Sequence, residues 1–296
     1  MGLTTRNQAM HYRSILIHVS NAIDLERRVR LAARLAWNEP VTVIGLAISG
    51  MSKFMSQVLP VVTDNAMEEL PGSAVTSEEQ KRRDRQHLDM TAALERFEVL
   101  AQECGIARVQ TLRVDDDAAT ALSNYGNSAD LIILGKNELQ GPDDRKESDF
   151  IEFVALNAAA PVLTIGDKPF SWRHALVAWN SSSAAARAAR NAIPLLHDMD
   201  AVSAVIFGDG NVPGTNVSAS EDELRQCLSS LGKPVAILHR PATADVGHAL
   251  LALAAELDAD LIVMGCVAHP RWRGALLGGT TGVVIAESPV SLLLSR

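Results

Sequence analysis

Short aliphatic runs alternate with longer amphipathic stretches along most of this chain. Ile15–Val19, Val41–Ile48 and Leu131–Leu134 have the length and composition of buried strands. Residues 22–37 lie between the first two runs and repeat their apolar side chains at helical spacing, and a helix is predicted over 118–126 before the third. Aliphatic strands that alternate with helices predict a parallel sheet covered by helices on both faces.

The rest of the chain continues this alternation. Further strands are predicted at 109–114, 162–165, 175–179, 202–207, 235–239, 261–264 and 290–294, and further helices at 76–104 and 149–158. Thr76 or Ser77 can cap the long charged helix, and Gly105 is placed to end it.

One segment occurs twice. "ADLIILGKNE" at 129–138 matches "ADLIVMGCVA" at 259–268. The flanking segments repeat in the same order, since "YRSILIHVSN" matches "WRHALVAWNS" and "APVLTIG" matches "SPVSLLLS". Repeats in conserved order indicate a duplicated domain. We therefore predict two tandem doubly wound α/β domains with five parallel strands each, residues 1–167 and 168–296, joined near Asp167–Ser171.

Composition narrows the class of protein. The chain has 296 residues, 47% of them hydrophobic, and a net charge of −8, which is typical of globular proteins and disfavours nucleic-acid binding. It lacks an apolar stretch of about 20 residues that could span a membrane. The N-terminus lacks a secretory apolar region, and the 3 cysteines are scattered, so we expect a reducing, cytoplasmic location.

Doubly wound sheets bind ligands beyond the carboxyl ends of their strands. In the second copy, Gly265 is followed by the loop "CVAHPRWRGALL" and then by Gly278, Gly279, Thr280 and Thr281. Backbone amides and a helix N-terminus in such a loop can hold a phosphate, and a loop with a glycine cap and no ligand explains the same residues. Neither a P-loop nor a GxGxxG pattern follows the first strand.

The block "ADLIVMGCVAHPRWRGALLGGTTGVVIAESPVSLLLS", together with "HALVAWNSSSAAARAARNAIPLL", resembles the universal stress protein family. The resemblance covers nearly the whole chain as two tandem copies, an arrangement known in proteobacterial members. It implies an adenine nucleotide alpha hydrolase-like fold. In the family, nucleotide binders carry G-x2-G-x9-G-(S/T), which cradles the ATP phosphates, and an acidic residue that ends the first strand and contacts the nucleoside.

Carried onto the second copy, the motif is only partly present. Gly265 and Gly278 match the first and third glycines, Ala268 stands in place of the second, and Gly279 takes the hydroxyl position before Thr280 and Thr281. An alanine forced into a left-handed conformation costs about 1–2 kcal/mol.

The residues expected to contact the nucleoside also differ from those of the family. Asn180 replaces the acidic residue, and Ser182 matches the hydroxyl of the following turn. His269 and Arg271 in the loop can meet phosphate oxygens or can be ordinary exposed loop residues. The resemblance therefore implies at most weak binding of ATP, with magnesium, in the second copy.

The first copy departs further from the family motif. Ser148 and Asp149 stand where the glycine and the hydroxyl are expected, and Ser20 replaces the acidic residue. Acidic side chains in this loop would repel a triphosphate: Asp143, Asp144, Glu147 and Asp149. We expect no nucleotide site in the first copy.

Other reactive residues have simpler explanations. Cys266 follows a strand and is predicted to be buried and inert, because no charged activator is near it in sequence. Trp272 is predicted to be a packing residue of the loop. Asp115, Asp116 and Asp117 are predicted to mark a helix N-terminus rather than a metal site.

The chain shows no recognisable catalytic triad or dyad, so the leading hypothesis is a non-enzymatic stress-response protein that acts by binding a ligand or a protein partner. The alternatives are a nucleotide-dependent ATPase or phosphotransferase and a binder of another small ligand. Family members pair through their last strands, which predicts that 161–165 and 289–294 pair as an internal pseudo-dimer. Whether the whole chain also forms a homodimer stays open.

Overall fold

The computed structural model describes residues 11–20, 24–37, 40–50, 77–136, 144–208, 217–266 and 279–296. The first half contains five strands: β1 (Ser14–Val19), β2 (Thr42–Gly50), β3 (Arg108–Asp117), β4 (Leu131–Leu134) and β5 (Val162–Thr164). Its described helices are α1 (Leu25–Leu35), α2 (Ser77–Glu103), α3 (Ala118–Gly126) and α4 (Asp144–Asn157).

The second half repeats the strands as β6 (His174–Trp179), β7 (Ala201–Phe207), β8 (Ala236–Arg240), β9 (Leu261–Gly265) and β10 (Ser291–Ser295). Its described helices are α5 (Ser183–Asn191), α6 (Ile193–Asp198), α7 (Val217–Cys227), α8 (Val246–Glu256) and α9 (Thr280–Glu287). Pro194 lies at the start of α6, where proline is tolerated because the first amides of a helix need no internal acceptor.

The ten strands form one sheet in the order β3-β2-β1-β4-β5-β10-β9-β6-β7-β8. Every pair is parallel except β5 and β10, which pair antiparallel with Leu163 opposite Leu293. Counted outward from this seam, the two halves have the same strand order. The predicted α/β fold with five parallel strands in each half is therefore confirmed, and the seam joins the two segments that were predicted to pair.

Two hydrophobic cores cover the two faces of the sheet, and both halves contribute to each core. Val29 of α1, Phe97 of α2 and Leu196 of α6 are buried on one face. Phe150 of α4 and Ile285 of α9 are buried on the other. Because burial of apolar surface provides most of the free energy of folding, cores shared in this way make the halves energetically dependent on each other.

The segment that links the halves is held closely at the seam. A Cβ atom added to Gly166 would lie against the carbonyl carbon of Val290 and 2.7 Å from the oxygen of Pro289. Arg27 of α1 donates hydrogen bonds to the carbonyl oxygens of Gly166, at 2.7 Å, and Lys168, at 3.0 Å. The linker near Asp167–Ser171 is thus packed structure rather than a flexible tether.

Several element boundaries agree with the sequence prediction and others differ, since β3 extends beyond the predicted 109–114 and α4 begins before the predicted residue 149. Helix 118–126 and strand 131–134 have the predicted limits, and Gly105 follows α2 with a left-handed φ of 76°. Within the described residues, α1 begins at Leu25 instead of residue 22. No helix in the described ranges has both the length and the apolar character that a membrane span requires.

Candidate functional site

In the second half, β7 and β8 lie on one side of β6, and β9 and β10 lie on the other side. The strand order therefore reverses at β6. β6 pairs parallel with β7 on one side and with β9 on the other, so Asn180 and Cys266 follow neighbouring strands at the same edge of the sheet. Connections leave such a point toward opposite faces and open a crevice, which is where ligands bind in this class of sheet.

The turn after β6 is built by two polar side chains. Asn180 is exposed, and its Oδ1 accepts a hydrogen bond of 3.2 Å from the Ser182 amide. Ser182 is the N-cap of α5, and its Oγ accepts a hydrogen bond of 3.1 Å from the Ala185 amide. Between them, Ser181 has a left-handed φ of 55°. The geometry fixes the N-terminus of α5, with its partial positive charge, beside the crevice.

Gly265 ends β9 directly against this helix. A Cβ atom at Gly265 would lie 2.6 Å from the Ala185 nitrogen and 2.7 Å from the Ala184 carbonyl carbon. These separations are shorter than any side chain tolerates, so glycine is required here for close approach of strand and helix. The structure therefore brings Gly265 close to the turn formed by Asn180 and Ser182.

Helix α7 also contributes to the turn, which the sequence analysis missed. The Trp179 indole Nε1 donates to the carbonyl oxygen of Ser220 at 3.1 Å, and the Ser181 and Ser220 hydroxyls are 2.7 Å apart. Trp179 is buried at the end of β6. No spacing rule links residues about 40 positions apart, so local sequence patterns contained no signal for this contact.

The start of α9 is described, and most of the preceding loop is not. Gly279 is the N-cap of α9 in an extended conformation, and Thr280 and Thr281 form its first turn, half-buried. The predicted loop residues Ala268, His269, Arg271 and Gly278, as well as Trp272, lie outside the described residues. Helix α9 packs on the face of the sheet opposite α5, because Ile285 and Ala185 belong to different cores.

Cys266 is buried, as predicted. Its amide donates a hydrogen bond of 2.7 Å to the Ser295 carbonyl oxygen, which fixes the chain as it leaves β9. Burial, and secondarily the negative charge of Glu152, raises the pKa of the Cys266 thiol to about 12. A thiol with this pKa is almost entirely protonated at neutral pH, so it is a poor nucleophile.

In the first half, an ion pair lies beside Gly135, which is the counterpart of Gly265. Arg28 is fully buried, and its guanidinium binds the Asp24 carboxylate at 2.6 Å and the His18 carbonyl oxygen at 2.8 Å. A Cβ atom at Gly135 would collide with both Arg28 and Asp24. Counted from the residue after the first strand, Asp24 and Arg28 stand where the second half has Ala184 and Ala188.

This pair is a structural feature of the first half that the sequence analysis did not predict. The expectation of no nucleotide site there rested on departures from the family motif and on repulsion by loop carboxylates, of which Asp143 lies outside the described residues and Asp149 is buried. The described structure instead shows side chains packed into the crevice of the first half. A buried arginine at a helical position is hard to recognise in sequence, because exposed arginines have the same spacing.

Of the three aspartates predicted to mark a helix N-terminus, Asp117 is the N-cap of α3, whereas Asp115 and Asp116 lie in β3. The Asp117 carboxylate accepts a hydrogen bond of 3.0 Å from the Thr120 amide at the start of α3. Asp115 accepts a hydrogen bond from the Ser49 hydroxyl on the neighbouring strand. Among the residues that the structure describes, no cluster of three or more histidine, cysteine, aspartate or glutamate side chains is arranged to hold a metal ion.

Residues 171–296 match the sequence model of the Universal stress protein family. The second half of the chain belongs to this family. The matched segment begins at the linker and includes both strand ends of the crevice. The described part of this universal stress protein domain has Asn180 directly after its first strand.

Solved structures extend the likeness in fold to the whole chain. A universal stress protein from Archaeoglobus fulgidus DSM 4304 superposes with a TM-score of 0.69 at 16% identity, over 96% of this chain and 96% of that one. A protein of unknown function from Pseudomonas aeruginosa PAO1 superposes with a TM-score of 0.56 at 20% identity, over 96% and 92%. Comparison with the curated proteins gave no match.

Proposed function

We propose that this chain is a tandem universal stress protein that acts by binding a ligand or a partner, without catalysis, and that ATP binds weakly or not at all, only in the second half. The observation that carries the proposal is the contrast between the two crevices. Gly265 and Ser182 keep the N-terminus of α5 at the surface of one crevice, whereas Asp24 and Arg28 fill the other.

The residues of the second half fit a nucleotide only in part. The amides at the start of α5 and α9 suit phosphate oxygens, which they would hold by hydrogen bonds and helix dipoles. Asn180 offers an amide where the family's binders offer a carboxylate, and no carboxylate stands among Asn180, Ser182 and Gly265 to hold a cation. Magnesium would thus arrive with the phosphates and serve to neutralise their charge.

We also propose that residues 1–167 and 168–296 are the two copies of a duplicated domain that form an internal pseudo-dimer. The support is the identical strand order on each side of the β5–β10 seam. The acidic net charge of −8 argues against a nucleic-acid partner, and we expect the protein to act in the cytoplasm.

Phosphate release from ATP and magnesium tests the absence of catalysis. We expect the purified full chain to release phosphate no faster than a buffer control. Steady release by the wild type that is lost in Gly278→Asp would contradict the proposal and favour an ATPase.

Denaturation of freshly purified protein, followed by mass spectrometry of the released small molecules, tests which ligand the second half retains. A nucleotide at less than one molecule per chain agrees with weak binding. A different small molecule at one per chain would support binding without ATP, and a stoichiometric nucleotide would contradict weak ATP binding.

A further inference from the structure

A cleft lies between the first half and α6 of the second half, away from the crevice described above. It has a volume of about 560 Å³ and is lined by Arg30, Ala33, Arg34, Trp37, Cys104 and Asp198. Asp198 stands three residues before the first residue of β7, whereas Asn180 follows β6. Because β6 and β7 are parallel, this seam cleft and the candidate nucleotide site lie at opposite edges of the second half.

One wall of the seam cleft is a stripe along α1. Arg27, Arg30 and Arg34 follow one another at intervals of three or four residues, which places them on one side of α1, and Trp37 follows in the turn after the helix. Arg27 is committed to the carbonyl oxygens of the linker, so Arg30 and Arg34 supply the charge. These two guanidinium groups stand on one wall of the cleft, and the carboxylates of Glu26 and Glu103 lie close enough to Arg30 to raise its pKa.

Arg34 is held in position by an aromatic ring. Its guanidinium lies 4.4 Å from the centre of the Trp172 ring, a cation–π contact. Trp172 is itself fixed, because it is 7% exposed and meets Phe170 edge to face at 4.7 Å. Among the described residues, no carboxylate pairs with Arg34. Stacking leaves the edge of the guanidinium fork available, and that edge recognises carboxylate and phosphate groups.

Trp37 supplies an apolar surface beside this charge. Its side chain is 78% exposed. It also borders a second hollow of about 250 Å³, lined with Ala33, Ala36, Val41, Gly105 and Ala107. The indole ring therefore stands between two hollows, where a planar molecule can stack on it. Asp198 of α6 also lines the cleft, and its carboxylate repels an anionic group. The anionic group of a ligand is therefore favoured on the α1 side of the cleft.

Arg30 does not close the seam cleft. It pairs with Glu26 at 2.7 Å, but the arginine side chain is 67% exposed and the glutamate 45% exposed. A pair this exposed to solvent is weak and exchanges readily for another anion. Arg30 can therefore turn to a bound ligand without the loss of a buried contact, while Arg34 stays in place on Trp172.

We propose that the seam cleft binds a small planar aromatic molecule that carries a carboxylate or a phosphate. The ring stacks on Trp37, and the anionic group accepts hydrogen bonds from Arg34 and Arg30. A volume of about 560 Å³ suits such a ligand, since small-molecule sites typically measure about 300–1,000 Å³. An aromatic acid and a nucleoside monophosphate both have this chemistry.

The test uses the full chain and three probes: 1-naphthoate, AMP and the neutral 1-naphthalenemethanol. Binding is measured by calorimetry and by the indole N–H resonance of Trp37 in a ¹⁵N-labelled sample, assigned with Trp37→Phe. We expect 1-naphthoate or AMP to shift the Trp37 resonance and the neutral alcohol to bind at least about tenfold more weakly, because the charge-assisted hydrogen bonds are missing. A shift by AMP alone identifies a nucleotide, and a shift by 1-naphthoate alone an aromatic acid.

Variants distinguish the seam cleft from other sites. Arg34→Gln and Trp37→Ala are each expected to weaken binding about tenfold or more, and Trp37→Ala removes an exposed side chain that the fold does not need. Arg225→Gln is the matched control, because Arg225 is an exposed arginine with a carboxylate four residues away, outside the seam cleft. No shift of Trp37 with either anion, equal affinity in the variants, or a dimer of the full chain that Trp37→Ala dissociates would overturn the proposal.

Discussion

Asp130 and Asp260 perform the same task in the two halves. The Asp130 carboxylate accepts hydrogen bonds from the amides of Arg13 and Ser14, at 2.7 and 3.0 Å. Asp260 accepts from the amide of Arg173 at 2.7 Å. Each aspartate stands just before the fourth strand of its half and fixes the start of the first strand. This contact explains why "ADLI" occurs twice. In each half, the aliphatic residues form the buried fourth strand, and the aspartate before them binds the backbone at the start of the first strand.

The two aspartates differ in burial, which predicts different costs of removal. Asp260 is 2% exposed and also accepts a hydrogen bond of 2.8 Å from Ser171, whereas Asp130 is exposed. We expect Asp260→Ala to lower the free energy of unfolding by about 2–3 kcal/mol and Asp130→Ala by about 1 kcal/mol, because buried amides left without an acceptor cost more. Urea denaturation of both variants measures this, and equal losses would contradict the assigned roles.

The seam is expected to tolerate no side chain at residue 166. Gly166→Ala places a Cβ against the backbone of Val290 and Pro289, which cannot move without shifting β10. We expect a loss of about 2–3 kcal/mol, in the range of overpacked sites. Gly105→Ala is the control, because that glycine has a φ of 76° but no atom within 4 Å of the added Cβ, and should lose only about 1–2 kcal/mol. A smaller loss at residue 166 than at residue 105 would mean that the seam is loosely packed.

His248 joins α8 to α9 in a pH-dependent manner. Its ring nitrogens lie 2.7 Å from Asp245 and 3.2 Å from Glu287. The hydrogen bond and charge of Asp245, followed by the charge of Glu287, raise the pKa of His248 above its usual 6.5. The stabilisation is therefore complete below about pH 6.5 and is lost as the pH rises through the folded-state pKa.

The test of this contact is the variant Glu287→Gln. We expect it to lower the His248 pKa in an NMR titration and to lower the melting temperature at pH 6 but not at pH 9. An unchanged His248 pKa in Glu287→Gln would show that Glu287 does not contact the ring in solution.

The three cysteines should differ in reactivity. Cys266 is buried and its thiol pKa is about 12, and Cys227 is also buried, whereas Cys104 is partly exposed. We expect one thiol per native chain to react with a disulfide reagent at pH 8, and none in Cys104→Ser, because only an accessible thiolate attacks. Rapid reaction of Cys266 in the native protein would indicate that the end of β9 opens.

The sequence predicted the fold more completely than the site. Leu131–Leu134 is a continuous aliphatic run, and the structure gives it the predicted limits as a buried strand. Asn180 and Ser182 could be named from the sequence because the family resemblance applies to the turn after a strand, which is a local feature. The contact of Trp179 with Ser220 and the burial of Arg28 depend on tertiary packing, which brings distant residues together and determines whether a charge is covered.

A thermal melt with ATP and magnesium tests the central claim most directly, namely that the second half keeps the frame of a nucleotide site without its full affinity. A ligand at one hundred times its dissociation constant adds about 2.7 kcal/mol, or several degrees of melting temperature, whereas one near its dissociation constant adds about 0.4 kcal/mol. We predict a shift of less than about 2 °C for the wild type at millimolar ATP. Asn180→Asp, which restores the carboxylate, should increase the shift, and Gly278→Asp should abolish it. A shift of several degrees in the wild type that Gly278→Asp removes would contradict weak binding, and a shift that survives Gly278→Asp would place the nucleotide elsewhere.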